Sequence, residues 1–393
     1  MKILFLASTF RPTIGGAETY ALNIVHCLSE IGHSIEIVTD EVAGELKFER
    51  LNENARIHRL HHYRHSFTRK GSIFWEEMQF ALRPELKTIA DACKPDIVFS
   101  NSLDLCYTAK LISLYNDIPW LATFHEQAPE REPFGKETLA LGYRIFDPDG
   151  IIAGSKFYLA RAKKYGRPEK SYLIYHGVDT KNFADQRSAT DVRSHYKIPE
   201  SNALILSLGR FKERKGFMDL LDAIGILKGE GILVSLVIAG SVNSASTEYL
   251  TQLKQRCQEL EIEAFVNFET SIPHEKVPWL ISGSDIVVQP SLEEGLGLAV
   301  IESMACQRPV IVSKIPGHNE ITDTDDVASL VDANAPTQIA EAISNLLENE
   351  SRRLSMGISA RNHVIKNFSF ESMAKKTSDL MISLIERRGN ASA

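Results

Sequence analysis

Short apolar runs alternate along this chain with longer stretches of helical periodicity. KILFLAS (2–8), SIEIVT (34–39), PDIVFS (95–100), PWLATF (119–124) and DGIIAG (149–154) are nearly continuous in apolar residues, as strands buried on both faces are. Between several of them lie helical patterns. AETYALNIVHCLSEIG (17–32) ends at Gly32, a residue suited to the position just past a helix, and 104–116 forms another. The second half repeats the habit, with strands expected at 203–209, 233–240, 264–268, 285–290 and 308–313 and helices near 216–229, 247–260, 274–283 and 298–306. The segment 176–202 is polar and turn-rich and separates the two series, and everything after 336 reads as helical. The pattern predicts an α/β protein of two Rossmann-like, doubly wound parallel-sheet domains facing a central cleft. The expected domains are 1–175 and 176–366, with a final helix over 367–393 packing back on the N-terminal domain. In open α/β sheets ligands bind beyond the carboxyl ends of the strands, so the cleft is the default site.

Size and composition agree with this picture. A chain of 393 residues suits two domains, and 44% hydrophobic with 24% charged residues is ordinary globular usage. A formal net charge of −7 gives no support for nucleic-acid binding. The run at the start, MKILFLASTFRP, is too short for a secretory core and reads as a first buried strand. No apolar stretch approaches the ~20 residues that span a bilayer. The five cysteines are scattered without a CxxC pair, which points to a reduced, cytoplasmic setting and no zinc site.

Three stretches carry candidate chemistry. TFRPTIGGAET (9–19) follows the first strand, and Gly15 and Gly16 permit close backbone approach before a helix whose N-terminal amides suit a phosphate. A tight strand-to-helix turn explains the glycines equally, and the spacing is not GxGxxG, which disfavours a pyridine-nucleotide dehydrogenase. In SLGRFKERKG (207–216), Arg210 and Lys215 stand at the mouth of a strand–loop–helix, placed to hold a diphosphate and to stabilise it as a leaving group. Lys212, Glu213 and Arg214 in the same stretch read as solvated. In SLEEGLGLAVIES (291–303), Gly295 and Gly297 allow an exposed backbone before a helix starting near Leu298. A carboxylate at the loop and Glu302 one turn into the helix would each accept hydrogen bonds from a diol. Two glutamates eight apart also arise by chance in a chain with 51 acids.

Taken together, these elements resemble a known family. Glu294-x7-Glu302, preceded by Pro290-Ser291, resembles the E-x7-E signature of retaining GT-B glycosyltransferases of the GT4 type. GRFKERKG resembles the family's G-R-x4-K-G element, HGVD (176–179) its N-G-V-D element, and PGHNEI (316–321) its G-G-x-x-E element. GG at 15–16 and TFH at 123–125 fall where the family has a phosphate loop and an active-site histidine. The resemblance implies roles residue by residue. Arg210 and Lys215 would bind the donor diphosphate, with Gly16 contacting it from the other domain. Glu302 would hold the ribose, and Glu294 the transferred sugar together with the amides of Gly295, Leu296, Gly297 and Leu298. His125 would lie beside the reacting carbon and the sugar's 6-hydroxyl. Base contacts would be largely backbone, near 240–242 and 268–272. Two departures are visible: Gln307 stands where the family has glycine, and His176 replaces the asparagine of N-G-V-D.

The implied activity is a retaining, metal-independent, cofactor-free transfer of a hexose or N-acetylhexosamine from a nucleotide-diphosphate sugar, a UDP-sugar ahead of GDP-mannose. The acceptor is a hydroxyl of a glycan, lipid or small metabolite. A nucleotide-sugar epimerase of the same fold and an inactive nucleotide-binding protein remain alternatives. ARIHRLHHYRHSFTRKG (55–71) stands apart, with five cations and four histidines but no acid. An anionic acceptor, contact with the inner face of a membrane, a flexible lid and a solvated loop all fit it.

Overall fold

The structure is a computed structural model describing residues 1–13, 16–60, 75–125, 139–184, 189–242, 247–322, 324 and 326–392. The chain divides into two units, Met1–His176 with Phe370–Ala393, and Gly177–Ser369.

Unit 1 is built on an eight-stranded sheet. Its strands are β1 (Lys2–Leu6), β2 (Ser34–Asp40), β3 (Phe48–Arg50), β4 (Ala55–Leu60), β5 (Ile97–Ser100), β6 (Trp120–Thr123), β7 (Gly150–Ala153) and β8 (Ser171–Leu173), in the order β3-β4-β2-β1-β5-β6-β7-β8. Only β3 runs antiparallel, against β4. Because side chains alternate across a strand, β1 feeds two cores at once. Ile3 and Phe5 pack with the helices Gly16–Glu30 and Phe370–Ser392 through residues such as Ile24, Leu28, Met381 and Leu384. Leu4 and Leu6 pack on the other face with Val98, Ile112 and Trp120. This double burial is why the strand reads as an unbroken apolar run.

Unit 2 holds a six-stranded, fully parallel sheet. Its strands are β9 (Ala203–Leu208), β10 (Val234–Ala239), β11 (Val266–Glu269), β12 (Ile286–Gln289), β13 (Val310–Ser313) and β14 (Ser329–Val331), in the order β11-β10-β9-β12-β13-β14. Ile205, Leu236, Ile238, Ile286 and Val288 pack with the helices Phe217–Gly229, Thr247–Glu259 and Pro336–Glu348 on one face. The helix Leu298–Ala305 packs on β12 and β13. Among the described residues no helix is long and apolar enough to cross a membrane.

One expectation changes. The basic segment 55–71 is not a solvated loop throughout: its first six residues are β4, paired in parallel with β2. The charges are neutralised within the sheet. Glu36 on β2 accepts from Arg56 at 2.8 Å and His58 at 2.7 Å. Arg59 is buried and donates to Glu49 at 2.8 Å and to the carbonyl of Leu46 at 2.8 Å. Residues 61–71, with Arg64, Arg69 and Lys70, lie outside the described residues.

Candidate functional site

In unit 2 the polar residues gather at the carboxyl ends of β9 and β12. The loop after β9 carries Arg210, then a tight turn over Glu213–Lys215, then Gly216. Gly216 adopts φ +67°, and a Cβ there would lie 1.9 Å from the carbonyl oxygen of Pro290. Only glycine lets this loop sit directly on the chain that leaves β12.

That contact brings three side chains onto Glu294. Lys215 Nζ donates to Glu294 Oε1 in a close ion pair. Ser291 Oγ donates to the same oxygen at 3.3 Å, and Arg214 Nη1 donates to Oε2 at 3.2 Å. Arg214 also donates to the carbonyl of Glu293 at 2.9 Å, while its own carbonyl accepts from Leu292 N at 2.8 Å. Arg214 is therefore not the solvated residue its sequence neighbourhood implied; it is bolted to the glutamate loop. Burial pushes the Glu294 carboxyl up, but Lys215 and Arg214 outweigh it and hold the group below its ordinary value. Glu293, by contrast, is exposed.

Gly297 opens the helix Leu298–Ala305 at φ +81°. A Cβ on it would lie 2.9 Å from Cδ2 of His318, whose ring is buried behind the loop. His318 Nδ1 lies 3.1 Å from the Ser313 carbonyl, which can only accept, so the imidazole carries its proton there. Burial pushes His318 down to about 4, keeping it neutral. Gly295 and Leu298 are partly exposed and Leu296 is buried; the first-turn amides of such a helix have no intrahelical acceptor. Glu302, on the same helix, is partly buried, and desolvation pushes its carboxyl up to about 7 against the opposing pull of Lys215. Arg210 is exposed and forms no ion pair among the described residues. A cavity of about 370 Å3 in this unit is lined by His195, Tyr196, Glu269, Ser271, Ile272 and Trp279 among others, adjoining the 268–272 segment.

In unit 1, Gly16 begins the first helix, and Gly15 lies outside the described residues. His125 follows β6 and is partly buried. Asn101, at the end of β5, ties these two regions together. Its Nδ2 donates to the carbonyl of Ala17 at 3.2 Å, so its Oδ1 accepts from His125 Nε2 at 2.8 Å. Tyr158 OH donates to the His125 carbonyl at 3.1 Å. Burial, and secondarily the neighbouring His176, hold His125 well below its ordinary pKa. The imidazole is thus neutral, with its proton on Nε2 and an acceptor at Nδ1.

Sequence reasoning passed over Arg214, Ser291, Asn101 and the individual role of His318. Asn101 carries a readable signal, since polar residues directly after a buried strand stand at the ligand-binding edge of such sheets. Arg214 carries none, because spacing alone does not tell which of three consecutive charges turns inward.

Two sheets of this order define the protein's class as a two-domain GT-B fold, and solved structures of that class match it closely. Sucrose-phosphate synthase from Thermosynechococcus elongatus superposes with TM-score 0.78 at 20% identity, over 98% of this chain and 100% of that one. Anabaena HepE, solved in complex with UDP, gives TM-score 0.80 at 19% identity, over 98% and 100%. In sequence, the family model for glycosyl transferases group 1 matches residues 188–363, and that for glycosyltransferase family 4 matches residues 14–182. The chain belongs to the GT4-type glycosyltransferase family. N-acetyl-alpha-D-glucosaminyl L-malate synthase of Bacillus anthracis is 23% identical over 95% of both chains. D-inositol 3-phosphate glycosyltransferase of Corynebacterium urealyticum is 28% identical over 54% of this chain, which spans about half (51%) of that relative's length.

Proposed function

We propose that the protein transfers a hexose or N-acetylhexosamine, with retention, from a nucleotide-diphosphate sugar to an acceptor hydroxyl, and that it prefers UDP-sugars to GDP-mannose. The observation that carries this reading is the convergence of Lys215, Arg214 and Ser291 on Glu294 beside the Gly295–Leu298 loop. A buried carboxylate kept ionised by two cations is a strong acceptor for sugar hydroxyls. The same Lys215, with exposed Arg210, would meet the donor diphosphate. The solved HepE complex with UDP and the relatives' names are consistent with such a donor.

In the proposed reaction the bond from the anomeric carbon to the diphosphate oxygen breaks and a bond to the acceptor oxygen forms on the same face. The acceptor's proton passes to the departing diphosphate. Lys215 and Arg210 offset the charge that develops on the leaving group, so the reaction is assigned no metal and no cofactor. Glu302 is assigned to the ribose, and His125 to the reacting end of the sugar. The protein's work is positioning and charge stabilisation.

The test is a thermal-shift panel with UDP-, GDP-, ADP- and dTDP-sugars. A ligand at 100 times its Kd adds about 2.7 kcal/mol of stability. A shift with UDP-sugars supports the reading, and no shift with any of the four overturns it. Product analysis then separates transfer from epimerisation, because an epimerase converts its donor with no acceptor present.

A further inference from the structure

The chain leaves unit 1 at His176, the residue before Gly177 begins unit 2. Its ring completes a cluster of three. Ring centroids lie 4.6 Å apart for Tyr20 and His176, 4.7 Å for Tyr20 and His125, and 5.3 Å for His125 and His176. Against the same ring lies Gly154, just past β7. A Cβ built on Gly154 would sit 2.1 Å from His176 Nε2 and 2.3 Å from Cδ2. The glycine is needed there for space, and any side chain would displace the imidazole.

Among the described residues, His176 Nε2 is buried without a hydrogen-bond partner. Burying an unpaired ring nitrogen costs stability, so the ring's packing is what its position offers in return. Its polar neighbour is His125. That imidazole is pinned at Nε2 by Asn101, whose own orientation is set by the Ala17 carbonyl. One hydrogen bond leaves the ring free to swing about it, and Tyr20 and His176 close on the remaining faces.

We propose that His176 is a positioning residue for His125, holding it in the one rotamer in which Asn101 fixes its tautomer with Nδ1 as the acceptor, and that Gly154 is the residue that makes room for it. Burial pushes His176 down to about 4, so the cluster carries no charge at neutral pH. The inference rests on the proposed reading only in giving His125 a task at the transferred sugar; the packing claim stands without it.

The test uses the full chain with 15N-labelled histidine. Long-range proton–nitrogen spectra read the His125 tautomer directly, and donor hydrolysis is followed as UDP release from UDP-glucose and UDP-N-acetylglucosamine. Wild type should show a single Nε2-protonated tautomer. His176→Ala should mix the two tautomers and slow UDP release about 10-fold, the scale of a lost orientation, with UDP affinity changed less than about 2-fold. Gly154→Ala, which leaves His176 no room, should do the same. The Gly154→Ala/His176→Ala double variant should be no worse than His176→Ala alone, and it keeps the test alive if Gly154→Ala by itself does not fold. An unchanged tautomer in His176→Ala, or defects that add in the double variant, would overturn the proposal. His125→Gln reports separately: hydrolysis at the wild-type rate in that variant sinks the role of His125 at the sugar, whatever the tautomer spectra show.

Discussion

The two units treat their polar groups at the carboxyl ends of the sheets in opposite ways. In unit 2 the cluster is ionic, with Lys215 and Arg214 holding the Glu294 carboxylate charged. In unit 1 His125 and His176 are kept neutral by burial, and His125 is fixed by an amide and two rings. An ion pair can exchange partners: under the proposed reading an incoming diphosphate would compete with Glu294 for Lys215 and release the carboxylate to sugar hydroxyls. A pinned neutral imidazole exchanges nothing and offers one acceptor in one direction. The contrast is between a charged cluster that can exchange partners and a neutral one held in a single arrangement.

The strongest way to break that contrast is Lys215→Ala. It removes a charge-assisted contact worth roughly 1.5–3 kcal/mol, so UDP affinity should fall about 10- to 100-fold, read by calorimetry. Donor turnover should fall further, because the same ammonium stabilises the leaving group.

Glu294→Gln comes next. Sugar transfer should drop on the order of 100-fold, as expected for loss of a charged hydrogen-bond acceptor at the reacting group, while UDP binds as well as before or more tightly because Lys215 is released. The exposed Glu293→Gln should change neither quantity by more than about 2-fold, as surface substitutions usually do. Equal losses in the two variants would show that the buried carboxylate has no special part.

Gly297→Ala probes the loop itself. With φ +81° and a Cβ 2.9 Å from His318, alanine should cost about 1–3 kcal/mol in a denaturant titration, with a matching loss of donor affinity.

A further effect, on stability alone, concerns Glu302, whose carboxyl burial raises to about 7. An acid with a raised folded pKa holds its proton in the folded chain after the unfolded chain has lost it, so stability falls as pH rises from the ordinary carboxylate range through about 7. Glutamine does not titrate. Glu302→Gln should therefore gain stability relative to wild type between pH 5 and pH 8, on the order of 1–3 kcal/mol by linkage, and a pH-independent difference would contradict the assignment.

How legible the fold was depends on burial. Strands buried on both faces, such as β1 and β12, declare themselves as apolar runs. The three-residue strands β3, β8 and β14 sit at sheet edges, are partly exposed, and leave too short a trace to read. β4 was hidden by charge: ARIHRL looks like a loop until Glu36 and Glu49 are seen beside its cations. The candidate site divides in the same way. Lys215, Glu294 and Glu302 were legible through the family elements they resemble, G-R-x4-K-G and E-x7-E, and not from spacing alone. Arg214 was not, because its direction is set by the turn over Glu213–Lys215. The Gly154–His176 contact joins residues from different elements, and no local pattern announces it.

The most direct measurement of the central claim is a calorimetric titration of UDP into wild type, Lys215→Ala and Glu294→Gln. Saturable binding to wild type, marked weakening in Lys215→Ala and undiminished binding to Glu294→Gln is the predicted result. Lys215→Ala binding UDP as tightly as wild type would contradict the account.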